Sequence, residues 1–283
     1  MGAEHLRYRL AQWLSERLPS PDAFRCAEQL SDAWGRISAK DRAAVQANLS
    51  IVRGEPITEQ SPDVHEVFRN FGRYLVDFFT IHRVPRPDVH VEGYEHLQEA
   101  QRGHGGVIML TAHVGNWEIG GMLLTRMGFP VSVVALPHAD AGTDRLFNQQ
   151  RLRCGLHVIP VGSDAARRSL QSLRAGHLLG LIGDREFSHH GIAQTLFGRT
   201  VTLPRGPAAL SLRSHAPVVP TFLTREGMWK FRLSFEPPIP PPAQRAPQAI
   251  AALTTAYATV FERYLRRFPT QWLMFQPATQ PSG

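Results

Sequence analysis

The sequence predicts an α/β fold in which a mostly parallel central sheet is flanked by helices, with a helical region at the N-terminus. Beyond about residue 85, short apolar runs alternate with longer amphipathic segments, as they do in chains of β–α–β units. Before that point, apolar residues recur at helical spacing. We therefore assign residues 1–84 to an N-terminal helical region and residues 85–283 to an α/β core, in one continuous domain.

The N-terminal region is predicted to be built from helices. They cover residues 4–18, 22–34, 40–51 and 64–82. In the first of them, Leu6, Leu10 and Trp13 lie at helical spacing, with arginines elsewhere around the helix. Such a helix either lies in the headgroup region of a membrane or packs on the protein core. The sequence leaves both interpretations open.

The core is predicted to alternate strands with helices. The strands are residues 89–93, 106–110, 130–136, 157–161, 177–182, 217–224 and 229–235. The helices are residues 95–102, 118–127, 143–154, 165–175, 202–214 and 247–268. The proline-rich residues 237–247 are predicted to form a loop.

Charge and composition restrict the class of partner and the compartment. The net charge of +7 and the isoelectric point near 10.1 favour an acidic partner, which could be nucleic acid, an anionic membrane, a phosphorylated substrate or an acidic carrier. The 2 cysteines, Cys26 and Cys154, match no metal or redox spacing and favour a reducing compartment. We expect a cytoplasmic protein, because no segment has the apolar length of a transmembrane helix and the N-terminus lacks a signal-peptide core.

The strongest candidate site is the stretch from His113 to Glu118. It follows the predicted strand 106–110 and opens the next helix, and ligands bind where the strands of an open α/β sheet end. On one helix the two side chains would point about 140° apart, so they can meet only if His113 lies in the turn. The carboxylate would then orient the imidazole for proton transfer. The alternative is an unrelated histidine and an acid placed by the helix dipole.

The predicted helix 143–154 carries the next candidates. Asp144, Asn148 and Arg151 lie four and three residues apart and share one helix face, with Arg145 beside them. Arginine can hold a phosphate or a carboxylate through two parallel hydrogen bonds, so this face could clamp an anion. A solvated polar face would show the same spacing.

Two further segments place charge at predicted loops. Asp184 and Arg185 directly follow the predicted strand 177–182, either at the ligand edge of the sheet or in an ordinary exit loop. Residues 197–206 contain glycines and two arginines, and Arg205 stands near a helix start that could bind an anion. The chain contains no GxGxxG or P-loop motif for nucleotides, no HExxH motif for metals and no GxSxG nucleophile elbow.

These residues give the chain a resemblance to the bacterial lipid A biosynthesis (lauroyl/myristoyl) acyltransferases, which are related to the glycerolipid acyltransferases. His113 to Glu118 matches the family's motif of a histidine followed five residues later by Asp or Glu, within an H-x-G-N-W-E setting. Weaker matches lie in the helix with Arg145, Asn148 and Arg151, at Asp184, and in three late segments. Those segments are residues 197–206, 216–220 and 268–272. The resemblance covers residues 40–276.

The resemblance implies a glycerolipid acyltransferase-like fold and transfer of a fatty acyl group from a thioester to a hydroxyl of a membrane glycolipid or phospholipid-type acceptor. The donor would be acyl carrier protein or coenzyme A, used as co-substrate without a metal or other cofactor. His113 would be the general base and Glu118 its orienting acid. The implied substrate-binding residues are Asn116, Arg145, Asn148, Arg151, Asp184, Arg185 and Arg205.

Two departures from the family pattern bear on the acceptor. The chain lacks the transmembrane anchor with which lipid A enzymes usually begin, so we expect peripheral attachment to the cytoplasmic face of the inner membrane. Asp184 is followed by Arg185 and Glu186, where many members have a glutamine.

The alternative function is a protein that binds acyl chains or anionic lipids without chemistry. A nucleic-acid partner is not expected, because the arginines are scattered among apolar helices.

Overall fold

The fold begins with a group of helices. A computed structural model describes residues 3–84, 86–103, 105–187, 190–242 and 247–278. The first helices are α1 (Ala3–Arg17), α2 (Ser20–Ile37), α3 (Ala39–Arg53) and α4 (Pro62–Thr80). Prolines in the first turns of α2 and α4 suit helix starts, and α3 ends at Gly54 in the left-handed conformation. The predicted helices of this region are therefore confirmed to within a few residues.

The rest of the chain alternates strands and helices as predicted. The strands are β1 (Asp88–Glu92), β2 (Val107–Thr111), β3 (Val131–Ala135), β4 (His157–Pro160), β5 (Leu178–Ile182), β6 (Ile192–Leu196), β7 (Arg199–Leu203), β8 (Val218–Gly227) and β9 (Lys230–Phe235). The helices are α5 (Tyr94–Gln101), α6 (Trp117–Arg126), α7 (Ala141–Arg153), α8 (Ala165–Arg174), α9 (Gly206–Ser214) and α10 (Pro247–Arg267).

The central sheet is mostly parallel, as the sequence predicts. Within the described residues it has 7 strands in the order β1-β9-β8-β2-β5-β3-β4, and β8 with β9 is its antiparallel pair. The central strand β2 pairs with β5 so that Val107 faces Leu178 and Thr111 faces Ile182. The carboxyl ends of β2 and β5 therefore lie side by side at the same edge of the sheet.

Both faces of this sheet are buried. Alternate residues of β2 contact different apolar clusters, Ile108 and Leu110 on one face and Val107 and Met109 on the other. The first cluster includes residues of α8, α9 and α10. The second includes residues of α5, α6 and α7 and the end of α4. A strand covered on both faces explains why β2 appears in the sequence as an unbroken apolar run.

The segment before α9 differs from the prediction. Residues 202–214 were expected to form one helix, but β6 and β7 form a separate antiparallel hairpin and α9 begins at Gly206. Phe197 and Gly198 both have positive φ, 54° and 70°, which fits the right-handed twist of a two-residue hairpin turn. Val201 and Leu203 are buried while Thr200 and Thr202 are exposed, which is strand alternation. The predicted anion-binding loop 197–206 is therefore largely the second half of this hairpin.

None of the helices that the structure describes is both long and apolar enough to span a bilayer.

Candidate active site

His113 lies in a tight turn between β2 and α6. Gly115 has a φ of 66°, and a Cβ atom there would overlap the carbonyl oxygen of Leu223, so glycine is required. The backbone carbonyl of His113 accepts a hydrogen bond of 2.7 Å from the N–H of Leu273. Asn116 then caps α6 by accepting the N–H of Ile119 at 3.3 Å. The turn is thus held by its own helix cap, by β8 and by the C-terminal segment.

The carboxylate that contacts His113 is that of Asp184. His113 Nδ1 lies 2.8 Å from Asp184 Oδ1, and the backbone N–H of His113 donates to Oδ2 at 2.9 Å. The indole N–H of Trp272 donates to the same Oδ2 at 2.9 Å. Burial alone would raise the pKa of Asp184, but the charge of the His113 ring and these hydrogen bonds outweigh it and hold the pKa below its ordinary value. An ionised Asp184 keeps the proton of His113 on Nδ1 and leaves Nε2 as the basic nitrogen.

Glu118 is paired with Arg151 instead of His113. Arg151 Nε lies 3.2 and 3.0 Å from the two carboxylate oxygens of Glu118, and Nη2 lies 2.5 Å from Oε1. The structure shows no hydrogen bond between the side chains of His113 and Glu118, both of which it describes. The predicted orienting contact is therefore wrong. Glu118 stands in the first turn of α6 and reaches α7, whereas the continuation of β5 carries Asp184 to the imidazole.

The polar face predicted on α7 is present. Arg151 donates to Asn148 Oδ1 at 2.8 Å, and Asn148 donates to Asp144 Oδ2 at 2.9 Å. Burial would lower the pKa of Arg151, but the charge of Glu118 and its hydrogen bonds outweigh burial and raise it. The guanidinium is thus occupied by a carboxylate of the protein. Glu118 occupies its Nε–Nη2 edge, and the role of Arg151 as a clamp for a substrate anion stays a prediction.

A cavity of about 620 Å³ opens beside this pair of clusters. Its polar lining includes His113, Glu118, Arg151 and Arg185. On the sheet side it is lined by Met109, Thr111, Val131, Val133, Gly180, Ile182, Thr221, Leu223 and Leu233. These residues belong to five adjacent strands, so the lining extends about 19 Å across the sheet.

Three glycines of the lining keep this volume open. Gly120 and Gly121 lie on α6, and Gly180 lies opposite on β5. A Cβ atom at Gly121 would lie 3.3 Å from Leu156, and one at Gly180 would lie 3.2 Å from Val133. The cavity on the α6 side of the sheet is therefore mostly apolar, and its lining includes His113.

Comparison with known proteins identifies the family of this chain. Residues 7–279 match the family model for bacterial lipid A biosynthesis acyltransferases. The chain belongs to this family. It is therefore an acyltransferase of the kind that acts on lipids.

The chain is similar to two acyltransferases that act in different bacteria. The chain is 27% identical over 280 residues to a phosphatidylinositol mannoside acyltransferase of Mycobacterium tuberculosis, covering 94% of this chain and 86% of the relative. It is 25% identical over 283 residues to the lipid A biosynthesis palmitoleoyltransferase of Escherichia coli, covering 96% and 90%. A solved structure, the 1-acyl-sn-glycerophosphate acyltransferase PlsC of Thermotoga maritima, aligns with a TM-score of 0.42 and 12% identity, over 84% of this chain and 97% of that one.

Of the remaining predicted site residues of this acyltransferase, some line the cavity and others lie outside it. Arg185 lines the cavity, and its guanidinium lies 5.0 Å from the ring centre of Phe187. Burial lowers the pKa of Arg185 although the charge of Asp184 opposes the change. Asn116 is buried behind the turn, outside the cavity lining. Arg145 and Arg205 are exposed and do not line the cavity.

The sequence prediction named no phenylalanine, tyrosine or tryptophan as a residue of the acyltransferase site, although several line the cavity. Phe71 and Tyr74 of α4 line it, and Trp117 lies edge-on to the His113 ring with centroids 4.9 Å apart. The aromatic spacing of α4 was the available signal, but the same spacing describes any buried helix face. Trp272 was noted only as part of a late family segment. Nothing local in the sequence connects it to a carboxylate 88 residues earlier.

Proposed function

We propose that this acyltransferase moves a long fatty acyl group from an acyl thioester to a hydroxyl of a membrane glycolipid or phospholipid-type acceptor. The observation that carries the proposal is the His113–Asp184 pair, whose histidine lines a mostly apolar cavity. The volume and the apolar lining of this cavity suit a fatty acyl chain. His113 would then lie near the carbonyl end of that chain, where the reaction takes place. Burial of the chain would contribute about 0.8 kcal/mol for each CH₂ group removed from water.

The mechanism assigns the proton transfers to His113. Its Nε2 takes the proton of the acceptor hydroxyl as that oxygen attacks the thioester carbonyl. The tetrahedral intermediate collapses, the carbon–sulfur bond breaks, and the imidazolium returns the proton to the leaving thiolate. Asp184 stabilises the imidazolium between these two transfers without taking the proton itself. This role was predicted for Glu118, and we now propose it for Asp184.

Arg185 supports the binding of an anionic part of the substrates. It is the residue after Asp184, it lines the cavity, and its Nε atom is buried without a hydrogen-bond partner. A phosphate that reached it would satisfy this donor and gain a charge-assisted bond. Such a phosphate belongs to the pantetheine arm of coenzyme A or acyl carrier protein, or to the acceptor headgroup. The net charge of +7 suits an acidic carrier or coenzyme A as the donor.

The relatives narrow the acceptor class. Their names specify phosphatidylinositol mannoside in one case and lipid A in the other. The first of these is, by its name, a lipid that carries both sugar and phosphate. A phosphate-bearing glycolipid is therefore the acceptor class that we propose for this enzyme.

The test of this function is transfer from a labelled palmitoyl thioester to a glycolipid in vesicles, with release of free thiol measured in parallel. We expect His113→Ala to lower turnover by roughly 10²–10⁴-fold, the usual contribution of a positioned base. His90→Ala is a matched control, because His90 lies on the edge strand β1 and is exposed. A wild-type protein that binds the thioester without releasing thiol would instead support the non-catalytic lipid-binding alternative.

Helix α1 supports peripheral attachment to a membrane. One side of α1 packs on the enzyme, because the Tyr8 ring lies 5.1 Å from that of Phe147 and Tyr8 lines the cavity. Another side is exposed, with Leu6, Leu10 and Trp13 exposed by 60%, 48% and 54%. The two interpretations of this helix are thus compatible. An apolar stripe on a helix that also lines the cavity could enter the headgroup region and bring the acceptor close.

Replacing Leu6, Leu10 and Trp13 together by serine should weaken binding to anionic vesicles by tenfold or more. Each side chain loses a share of the roughly 1.5–3 kcal/mol that full burial would contribute. Flotation of the protein with vesicles measures the loss. Met127→Ser with Met228→Ser is the control, since both methionines are exposed outside α1. If the triple variant and the control bind anionic vesicles equally well, the exposed side of α1 is not the membrane-binding surface.

A further inference from the structure

A buried ion pair between Asp77 and Arg225 lies behind the turn that carries His113. Asp77 is at the end of α4 and Arg225 is on β8, and neither lines the cavity. We propose that this pair positions the catalytic turn: it fixes Asn116 and Gly115, and through them His113 and the start of α6. This inference deepens the proposed function and rests on it.

Asp77 holds the turn through Asn116. The Asp77 side chain is fully buried, and its Oδ2 accepts hydrogen bonds from Arg225 Nη2 and from Asn116 Nδ2, the latter at 3.2 Å. Asn116 Nδ2 also donates to the carbonyl of Tyr74 at 3.3 Å. The other end of the same amide caps α6 through Ile119. One side chain therefore connects α4 to the first turn of α6, where Trp117 contacts His113 and Glu118 contacts Arg151.

Arg225 holds the turn through Gln271. The backbone N–H and carbonyl of Arg225 bond to the Gln271 side chain at 2.8 and 2.9 Å. The backbone carbonyl of Gln271 in turn accepts a hydrogen bond of 2.9 Å from the N–H of Gly115. The guanidinium lies 5.2 Å from the ring centres of both Phe24 and Phe231, so its plane is fixed by aromatic contacts. The backbone of Arg225 thus reaches the turn through Gln271, and its guanidinium acts on the turn through Asp77.

Stability alone is a weak explanation for such a pair. Burying two charges costs several kcal/mol, and well-packed apolar residues of similar volume often serve stability equally well. Burial, with the neighbouring charge of Arg73, lowers the pKa of Arg225 to about 9. An apolar replacement of Asp77 would lose the bond to Asn116, and one of Arg225 would leave the Asp77 carboxylate without the guanidinium that fixes it. A small displacement of His113 is enough to matter, since a shift of about 1 Å can cost 10²-fold in rate.

The experiment compares Asp77→Asn, Arg225→Met and the double variant with wild type, measuring kcat, KM and thermal unfolding. We expect kcat per folded molecule to fall by roughly 10- to 100-fold in the single variants, with KM nearly unchanged. We expect the double variant to regain thermal stability, because no unpaired charge remains, while its kcat stays low. Recovery of kcat together with stability would show that the pair is only structural and would overturn the inference.

Two further variants keep the test decisive. Asn116→Ser retains a residue that caps helices well, but its shorter side chain does not reach Asp77, so it should lower kcat at little cost in stability. Asp32→Asn breaks the ion pair with Arg69, whose bonds are 2.9 Å long in the same helical region, and should leave kcat unchanged. Normal kcat in Asn116→Ser contradicts the inference even if the Asp77 variants fail to fold. Absence of acyl transfer by the wild type would instead contradict the proposed function.

Discussion

Asp184→Asn should lower kcat by roughly 10²–10⁴-fold while the protein stays folded. The reason lies in the donors around the carboxylate. The backbone N–H of His113 and the indole N–H of Trp272 both point at Oδ2, and neither can become an acceptor. The amide oxygen of the introduced asparagine must therefore face them, which turns its NH₂ group towards His113 Nδ1. That contact forces the ring proton onto Nε2, where it blocks the base.

Steady-state thiol release and product formation measure this effect. Glu118→Gln tests the alternative that sequence spacing favoured, in which Glu118 orients His113. If folded Asp184→Asn protein retains near-wild-type turnover while Glu118→Gln loses it, the assignment of the orienting acid to Asp184 is wrong.

The stability of the same variant should depend on pH. The pKa of Asp184 is lower in the folded protein than its ordinary value, so the folded state favours the ionised carboxylate. Its contribution to stability is therefore present above the ordinary aspartate pKa of about 3.9 and is lost as the pH falls through the folded value. Thermal unfolding of wild type and Asp184→Asn should differ near neutral pH and converge in acid.

Arg151→Met should destabilise the protein by about 3–5 kcal/mol, because it leaves the Glu118 carboxylate buried without its partner. Glu118 is 7% and Arg151 is 10% exposed in their side chains, so the pair is largely withdrawn from solvent. Glu118→Gln should destabilise less, since an amide oxygen can still accept from the guanidinium. The double variant Glu118→Gln/Arg151→Met should regain much of the lost stability.

Urea unfolding of the four proteins gives the coupling energy between the two side chains. The exposed pair of Asp164 and Arg167, 3.5 Å apart at the start of α8, is the control, and breaking it should change stability little. Additive effects of Glu118→Gln and Arg151→Met would mean that the two residues do not act as a buried pair.

Much of the fold was predictable because its signals are local. Buried parallel strands such as β2 and β5 are short apolar runs, and each is followed by polar residues or a helix start. The β6–β7 hairpin was missed because its turn is Phe197–Gly198, without the Asn-Gly or Asp-Gly pair that marks a hairpin most strongly. Its alternation of threonines with Val201 and Leu203 was the remaining signal.

The candidate site was predictable only in part. The sequence places His113 three residues and Asp184 two residues beyond the end of a predicted apolar strand. In the structure β2 continues to Thr111, so each lies two residues beyond its strand. The sequence does not say that these strands are neighbours. The pairing of Thr111 with Ile182 in the sheet brings the two following residues to equivalent positions, and the hydrogen bond follows. Proximity along the chain favoured Glu118, which the first turn of α6 instead directs towards Arg151.

The sequence by itself determined the alternation of strands and helices, the location of a site at the end of β2, and the resemblance to an acyltransferase family. These depend on residue types within a few positions of one another. Only the tertiary structure decided which acid faces His113, that Arg151 is already occupied, and that α4 and the C-terminal segment hold the turn. Those contacts join residues about 30 to 150 positions apart, and their geometry is set by strand order and packing.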